Sequence, residues 1–265
     1  MLNDIQIGPV TIHMYGLMIG IGFICAYLLS DYRAKKRGLD TDIIFGILWC
    51  AIIGGFLGSR ILYYIVELPD VIKNPSILWD FSYGYVVYGG IIGGVTASVL
   101  YCRKKNTHFM EYFDLVIPAV ALAQGFGRIG CTFAGCCYGK STDLPFGITY
   151  HTSNIAPNGI KLIPTQLISS AGDFLIALIL LLYARKNRKG GKVAALYMIL
   201  YSVGRYIIEY FRDDYRGSIG SMSTSQIISI IMFIAGVLFF MQADKGRFEK
   251  KETVSEDISE DNSEE

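Results

Sequence analysis

Apolar residues along the chain gather into long runs that short polar stretches separate. Most runs approach or exceed 18 residues, the length at which a helix crosses a hydrocarbon core about 30 Å thick. Since lipid offers the backbone no hydrogen-bond partner, each run is predicted to be a helix. The predicted helices are residues 12–29, 43–66, 85–102, 113–129, 167–183, 193–211 and 225–241. The pattern thus predicts an all-α, polytopic membrane protein with about seven transmembrane helices in one domain, residues 1–243.

Positive charge falls on alternate connections between the predicted helices. Basic clusters follow the first, third, fifth and seventh runs, and they begin at Arg33, Arg103, Arg185 and Lys245. Because basic connections stay in the cytoplasm, the N-terminus is predicted outside and the C-terminus inside. The polar, acidic residues 244–265 are predicted to be a disordered cytoplasmic tail.

Composition agrees with a membrane protein and limits its partners. The chain of 265 residues is 52% hydrophobic and 18% charged, against about 25% charged in soluble chains. No cation precedes the first run, so a cleavable signal peptide is not expected. The net charge of +1 favours no nucleic-acid partner. The lipid bilayer is the expected environment.

Charged residues stand inside predicted helices, where each costs about 2.5–3.5 kcal/mol near the bilayer centre. Arg205, Glu209 and Arg212 follow one another at helical spacing in or next to the sixth run, so they are predicted to share one face. Arg128 and Arg60 add positive charge near the outer ends of two other runs. Glu209 cannot neutralise all four arginines, and the surplus suits an anion such as phosphate. The alternatives are an ion-pair network that joins helices, or snorkelling to the interface, which is expected of Arg212.

Glycine-rich stretches at 54–60, 88–94 and 125–139 indicate close packing between helices. Arg128 lies inside the third stretch. A glycine surface beside a buried arginine also suits close approach of the backbone to a ligand head group.

Six segments carry a resemblance to a known family. They are IGPVTIHMYGLMIGIGF, GGFLGSRILYY, VVYGGIIGG, GRIGCTFAGCCYGKST, PTQL and GRYIIEYFR. Taken in this order over residues 5–240, they make the chain resemble the bacterial phosphatidylglycerol–prolipoprotein diacylglyceryl transferases. The resemblance implies transfer of a diacylglyceryl group from phosphatidylglycerol to the lipobox cysteine thiol of prolipoprotein signal peptides. It also implies release of glycerol 1-phosphate at the outer leaflet of the bacterial cytoplasmic membrane. No cofactor and no metal are expected.

The resemblance assigns roles to individual residues. Arg128 and Arg205 match the arginines that the family uses for the lipid head group, and Glu209 matches their acidic partner. Tyr15 matches an essential tyrosine near the N-terminus. Arg60 is expected to assist in binding phosphatidylglycerol because it belongs to the surplus of positive charge. The glycines at matching positions are Gly89, Gly90, Gly130, Gly135 and Gly139.

Three positions depart from the family pattern. Tyr88 stands where many members have histidine, Cys131 replaces an asparagine, and Cys136 replaces an acidic residue. The general base is therefore not assigned by the resemblance. Tyr88 can donate a hydrogen bond to phosphate, but its ordinary pKa of about 10 makes it a poor base.

Cys131, Cys136 and Cys137 crowd the segment where the fourth run reaches the outer side. Packing or one structural disulfide is the expected role. A redox pair is an alternative, and a metal site would need further ligands. The connection that follows, up to Pro164, is expected to cap the site or to dock the signal peptide.

Three other functions stay open at this point. A divergent member of the family would act on another lipid or another thiol. An outward-facing anion or lipid transporter would show internal repeats or charges on both sides of the midplane. A thiol redox enzyme would need a partner cysteine pair.

Overall fold

The computed structural model describes residues 4–7, 10–81, 84–186, 188–214, 217–220 and 222–249. These residues are mostly helical, and a helix of 18 or more residues overlaps most of each of the seven predicted runs. The helices are α1 (Met14–Arg37), α2 (Thr41–Val66), α3 (Leu68–Lys73), α4 (Val87–Lys104), α5 (Phe109–Ala134), α6 (Thr165–Tyr183), α7 (Lys192–Glu209) and α8 (Thr224–Asp244). The predicted tail lies outside the described residues from position 250 onward.

Short antiparallel pairs of strands lie before α1 and in two of the connections between helices. They are formed by β1 (Asp4–Ile7) with β2 (Val10–His13), β3 (Ile148–Thr149) with β4 (Lys161–Leu162), and β5 (Ser218–Ile219) with β6 (Met222–Ser223). Helix α3 and a 3₁₀ turn at Pro75–Trp79 lie between α2 and α4, in a connection for which the sequence predicted no helix.

Five of the described helices are long and apolar enough to cross a membrane, namely α1, α2, α5, α6 and α8. The other two long helices, α4 and α7, also coincide with predicted apolar runs, but their composition is more polar. Helix α4 is rich in glycine and ends in Arg103 and Lys104. Helix α7 contains Lys192, Arg205 and Glu209. The deviation of α7 from a simple apolar span therefore comes from these three charged residues, of which Lys192 lies at the start of the helix and the other two lie near its end.

Glycines allow α2 and α4 to pack backbone against backbone. A Cβ atom placed on Gly89 would overlap the carbonyl oxygen of Gly58, and one on Gly93 would overlap that of Gly54. Gly90 lies against Gly55, where a Cβ would come within 3.2 Å of the carbonyl oxygen. This arrangement is the small-residue packing that membrane helices use.

A hydrophobic core lies between α5, α6 and α7 and includes Leu180, Val193 and Ala194. Asp114 of α5 accepts hydrogen bonds from the backbone N–H groups of Gly191 (2.7 Å) and Ala194 (2.9 Å). It thus satisfies donors at the start of α7 that no residue of that helix can pair. The contact fixes the position of α7, and with it that of Arg205.

The basic ends of several helices meet at one end of the bundle. Arg37 at the end of α1 donates a hydrogen bond to the carbonyl oxygen of Ala184 just after α6 (2.7 Å). Lys189 donates to the carbonyl oxygen of Asp244 at the end of α8 (2.8 Å), and Lys192 pairs with the Asp244 carboxylate. The basic clusters that follow α1, α6 and α8 are therefore close together in space.

Candidate functional site

A cavity of about 400 Å³ lies toward the opposite end of the bundle, between α6, α7 and the end of α5. Its walls are mainly apolar and include Leu144 and Phe146 from the connection between α5 and α6. The polar lining consists of Arg128, Ser169, Asp173, Tyr201 and Arg205. The cavity therefore joins a long apolar surface to a compact charged group.

Arg205 and Glu209 form a buried ion pair on one face of α7. The Nη1 atom of Arg205 lies 2.7 Å from Oε2 of Glu209, and the two side chains are 13% and 8% exposed. Nη2 of Arg205 donates a hydrogen bond to Oγ of Ser225 at the start of α8 (2.8 Å). The guanidinium is thus held by residues of two helices, α7 and α8. The spacing of four residues in the sequence predicted the contact with Glu209.

Arg128 enters the cavity from α5 and faces Asp173 of α6. The Nε atom of Arg128 lies 3.9 Å from Oδ2 of Asp173, whose side chain is 8% exposed. This distance is too long for a hydrogen bond, and the described residues offer the Arg128 guanidinium no side-chain hydrogen bond. Its donors can therefore turn to a ligand in the cavity.

Asp173 is a site residue that was not predicted from the sequence, although the sequence carries a signal for it. Asp173 is the single charged residue in the apolar run at residues 167–183. An isolated carboxylate in such a run is expensive unless it has a partner, so it should have been paired with one of the buried arginines.

Arg212 departs from its predicted position. Helix α7 ends at Glu209, and Arg212 lies in the turn that follows, where it forms an isolated bridge with Gly139. Its side chain is 4% exposed and binds Asp214 with two nitrogen atoms, at 2.9 and 2.6 Å. The expected snorkelling of Arg212 is therefore wrong, because a nearby carboxylate allows the guanidinium to stay buried.

Gly139 and Gly130 both lie at close approaches between segments. A Cβ on Gly139 would come within 2.6 Å of the carbonyl oxygen of Ile163 and 2.8 Å of that of Phe211. A Cβ on Gly130 would come within 3.2 Å of Tyr15 on α1. Tyr15 in turn lies within electrostatic range of Arg128. The contact with Gly130 thus places Tyr15 beside the part of α5 that carries Arg128.

Cys131, Cys136 and Cys137 converge, with all three Sγ atoms within 4.8 Å of one another. All six cysteines lie in the described part of the chain, and none of them forms a disulfide there.

Side chains at the start of α6 hold this cysteine segment in place. Thr165 donates a hydrogen bond to the carbonyl oxygen of Cys137 (2.7 Å), and Gln166 donates to that of Cys136 (2.8 Å). Tyr150 donates to the carbonyl oxygen of Thr132 (3.1 Å) and accepts from Gln166. Burial raises the pKa of Tyr150 to about 12, so the phenol stays protonated and remains a donor at neutral pH. The sequence segment PTQL thus fixes the turn after α5.

Arg60, which was expected to help bind the lipid, is used within the fold. Its guanidinium donates to Tyr64 (2.7 Å) and to the carbonyl oxygens of Ile77 (3.0 Å), Gly84 (3.3 Å) and Asp80. It does not line the cavity, and neither do Tyr88, Gly89 and Gly90. Gly89 and Gly90 belong to the packed face between α2 and α4.

Together, these features define a helical membrane protein with two half-buried arginines, each opposite a carboxylate, in a largely apolar cavity. Such a cavity suits an amphiphile that carries an anionic head group.

Residues 4–242 match the family described as prolipoprotein diacylglyceryl transferase. A protein of Clostridium tetani named phosphatidylglycerol–prolipoprotein diacylglyceryl transferase is 52% identical over 229 residues, which are 86% of this chain and 92% of that protein. A protein of Clostridium perfringens named phosphatidylglycerol–prolipoprotein diacylglyceryl transferase 2 is 46% identical over 93% of this chain and 97% of its own length. A third, from Finegoldia magna, is 37% identical over 89% and 93%. The chain belongs to the prolipoprotein diacylglyceryl transferase family.

Proposed function

We propose that this protein transfers the diacylglyceryl group of phosphatidylglycerol to the lipobox cysteine of prolipoproteins and releases glycerol 1-phosphate. The names of its relatives support this reaction. The structural observation that carries it is the placement of Arg128 and Arg205 in a cavity whose other walls are largely apolar. Such a cavity offers the head group guanidinium donors and offers an acyl chain an apolar wall.

The reaction follows from the chemistry of these groups. The acceptor sulfur, as a thiolate, attacks the glycerol carbon that carries the phosphate ester. A carbon–sulfur bond forms, the carbon–oxygen bond breaks, and its electron pair leaves with the phosphate oxygen. Guanidinium donors aimed at that oxygen stabilise the charge that develops on it.

The two arginines have different roles in this proposal. Arg205 is fixed by Glu209 and Ser225 and therefore offers a rigid, preorganised donor. Arg128 is held by charge attraction to Asp173 at 3.9 Å and can close on the departing phosphate. Asp173 and Glu209 act as positioning residues.

The connection between α5 and α6 forms part of the cavity wall through Leu144, Phe146 and Ile163. We assign to it the docking of the apolar signal peptide. It is folded around its own small core of Tyr150, Ala156 and Leu162, so it can offer a defined surface.

The membrane arrangement is also part of the proposal. All seven long helices cross the cytoplasmic membrane, with the N-terminus outside and the C-terminus inside. The gathering of basic residues near Ala184 and Asp244 supports this orientation. It puts the arginine cavity at the outer leaflet, where exported prolipoproteins arrive.

The test is expression of the chain in bacteria depleted of their own diacylglyceryl transferase, with the mass of a reporter prolipoprotein as the readout. The expected result is a gain of one diacylglyceryl group. Arg205→Ala should abolish the gain, whereas Arg188→Ala, at an exposed arginine in the basic connection, should preserve it. No gain, with the protein inserted and phosphatidylglycerol present, would contradict the proposal and favour another lipid or thiol substrate.

A further inference from the structure

Three thiols meet in the segment that follows Arg128, one of the residues that line the cavity. Cys131 lies in the last turn of α5, and Cys136 and Cys137 follow the end of that helix. Their Sγ atoms lie within 4.8 Å of one another, with Cys137 buried and the other two half-buried. Because three sulfur atoms converge, a single disulfide would leave one of them over.

The spacing of the sulfur atoms suits one metal ion. A Zn²⁺–thiolate bond is about 2.3 Å long, so two sulfur atoms on one tetrahedral ion lie about 3.8 Å apart. The three thiols are already within 4.8 Å, and small rotations about their side-chain bonds reach that distance. Because all three ligand atoms are sulfur, the site should select thiophilic ions such as Zn²⁺ over Mg²⁺ or Ca²⁺.

The backbone that carries the thiols is held in an unusual conformation. Gly135 ends α5 in the left-handed region at φ 70°, and Cys137 adopts φ 61°, although it has a side chain. A non-glycine residue in this region costs about 1–3 kcal/mol and persists where the surrounding structure imposes it. Thr165 and Gln166 impose it here through their bonds to the carbonyl oxygens of Cys137 and Cys136. Two hydrogen bonds from α6 therefore keep the two adjacent cysteines turned toward Cys131.

The surrounding charges suit a bound metal–thiolate group. Three thiolates around a divalent cation carry a net charge of about −1. Arg128 lies within electrostatic range of Cys131 and Cys137, and Arg212 lies beside Cys137. These cations would stabilise the negative group in a partly buried place.

We propose that Cys131, Cys136 and Cys137 bind Zn²⁺ as three thiolate ligands, and that the open fourth position takes the acceptor cysteine of the prolipoprotein. This proposal rests on the proposed function. Zinc sites with three protein ligands keep their fourth position for water or substrate, and a thiol that coordinates zinc is deprotonated. The acceptor S–H would lose its proton to water as the S–Zn bond forms. That sulfur would then form the carbon–sulfur bond while the carbon–oxygen bond to phosphate breaks.

The proposal accounts for the departures from the family pattern. Tyr88 and Cys131 stand where the resemblance would place histidine and asparagine, so a familiar base is missing. A zinc ion lowers the pKa of a bound thiol without any base. The cysteines at 131 and 136 would then supply ligands for the ion that activates the acceptor thiol.

Metal binding can be tested without turnover. The full chain is purified in detergent under reducing conditions, stripped with a chelator and titrated with Co²⁺, whose bonds to thiolates absorb in the near ultraviolet. We expect one equivalent to bind and Zn²⁺ to displace it. The double variant Cys25→Ser with Cys50→Ser should behave like the wild type, and Cys131→Ser should bind at least about tenfold more weakly.

The variants are compared for folding as well as for binding. Cys102 is kept because it is fully buried. Cys136→Ser is a second removal variant, and Zn²⁺ should raise the melting temperature of the wild type but of neither removal variant. No thiolate absorption, unchanged binding in Cys131→Ser, or a disulfide between these cysteines in protein isolated without oxygen would overturn the proposal.

The fourth position has its own readout. A lipobox peptide that contains cysteine should change the visible spectrum of bound Co²⁺, and the same peptide with serine should not. Full transfer by the metal-free protein would overturn the zinc proposal and leave the proposed function standing. If Zn²⁺ and the cysteine peptide bind but no transfer from phosphatidylglycerol occurs under any condition, the proposed function is overturned and the zinc site stands.

Discussion

Arg128 and Asp173 face each other across the cavity, with 3.9 Å between Nε and Oδ2. Arg205 has Glu209 as its partner, and Arg212 has Asp214. The three arginines are thus matched by three carboxylates, and the predicted surplus of positive charge is absent from this group. An anion must therefore be bound by guanidinium N–H groups that point toward it, rather than by a net positive charge of the site.

Asp173→Asn tests the positioning role of the carboxylate. Attraction between charges holds Arg128, so the neutral amide should let the guanidinium move while leaving the volume of the side chain unchanged. A misplaced catalytic donor can cost up to about 100-fold in rate, and we expect kcat for diacylglyceryl transfer to fall at least about tenfold, with a smaller change in KM for phosphatidylglycerol. Steady-state kinetics with lipid in mixed micelles measures both.

The matched control for that change is Asp31→Asn. Asp31 pairs with the exposed Lys35 one turn further along α1, and such pairs contribute less than about 1 kcal/mol. Its kinetics should equal those of the wild type. Equal kcat in Asp173→Asn and Asp31→Asn would remove Asp173 from the site.

Glu209→Gln should lower both stability and activity. Glu209 lies 2.7 Å from Arg205 and 3.9 Å from Arg212, so its neutralisation leaves two buried guanidinium groups close together. Removing one partner of a buried ion pair costs about 3–5 kcal/mol. We expect a clearly lower melting temperature in detergent and loss of transfer.

Glu111→Gln is the control for the Glu209 variant, because Glu111 is exposed in the first turn of α5. It should change neither the melting temperature nor transfer. A Glu209→Gln protein as stable as this control would mean that the ion pair does not hold the end of α7.

Much of the fold follows from local pattern, and much of the site does not. The seven long helices follow from the apolar runs, and the Arg205–Glu209 pair follows from helical spacing within one element. The pairing of Arg128 with Asp173 joins α5 to α6 across 45 positions, so no local period reveals it.

Other parts of the site depended on where helices end. Arg212 continues the helical spacing in the sequence, but α7 stops at Glu209, and the chain then turns so that Arg212 meets Asp214. The convergence of the cysteines likewise depends on the left-handed turn at Gly135 and Cys137. Composition shows that the thiols are present, whereas the turn and its bonds to Thr165 and Gln166 decide that they meet.

Gly89→Ala should destabilise the protein by separating α2 from α4. An added Cβ would overlap the carbonyl oxygen of Gly58, and backbone atoms cannot yield as a side chain can. Overpacking of this kind typically costs about 1–3 kcal/mol. We expect a lower melting temperature together with reduced insertion yield.

Gly20→Ala provides the control, because nothing lies within 4 Å of a Cβ at that position of α1. Alanine is preferred over glycine in helices by about 1 kcal/mol, so this variant should be as stable as the wild type or more so. A Gly89→Ala protein that matches it would show that the α2–α4 contact can relax freely.

Tyr150→Phe should loosen the turn that carries the cysteines. The phenol donates to the carbonyl oxygen of Thr132 and accepts from Gln166, so the variant leaves two buried polar groups without this partner. The expected loss is about 1–3 kcal/mol, together with faster alkylation of Cys136 because the turn opens more often.

The effect of Tyr150→Phe should also depend on pH. Burial raises the pKa of Tyr150 to about 12, against about 10 in an unfolded chain. The folded state therefore holds the proton more tightly, and the phenol's contribution to stability is complete below about pH 10 and declines as pH rises toward 12. The difference in melting temperature between wild type and Tyr150→Phe should be constant at neutral pH and should shrink above about pH 10. A difference that stays constant through this range would show that the Tyr150 phenol is not held by these bonds.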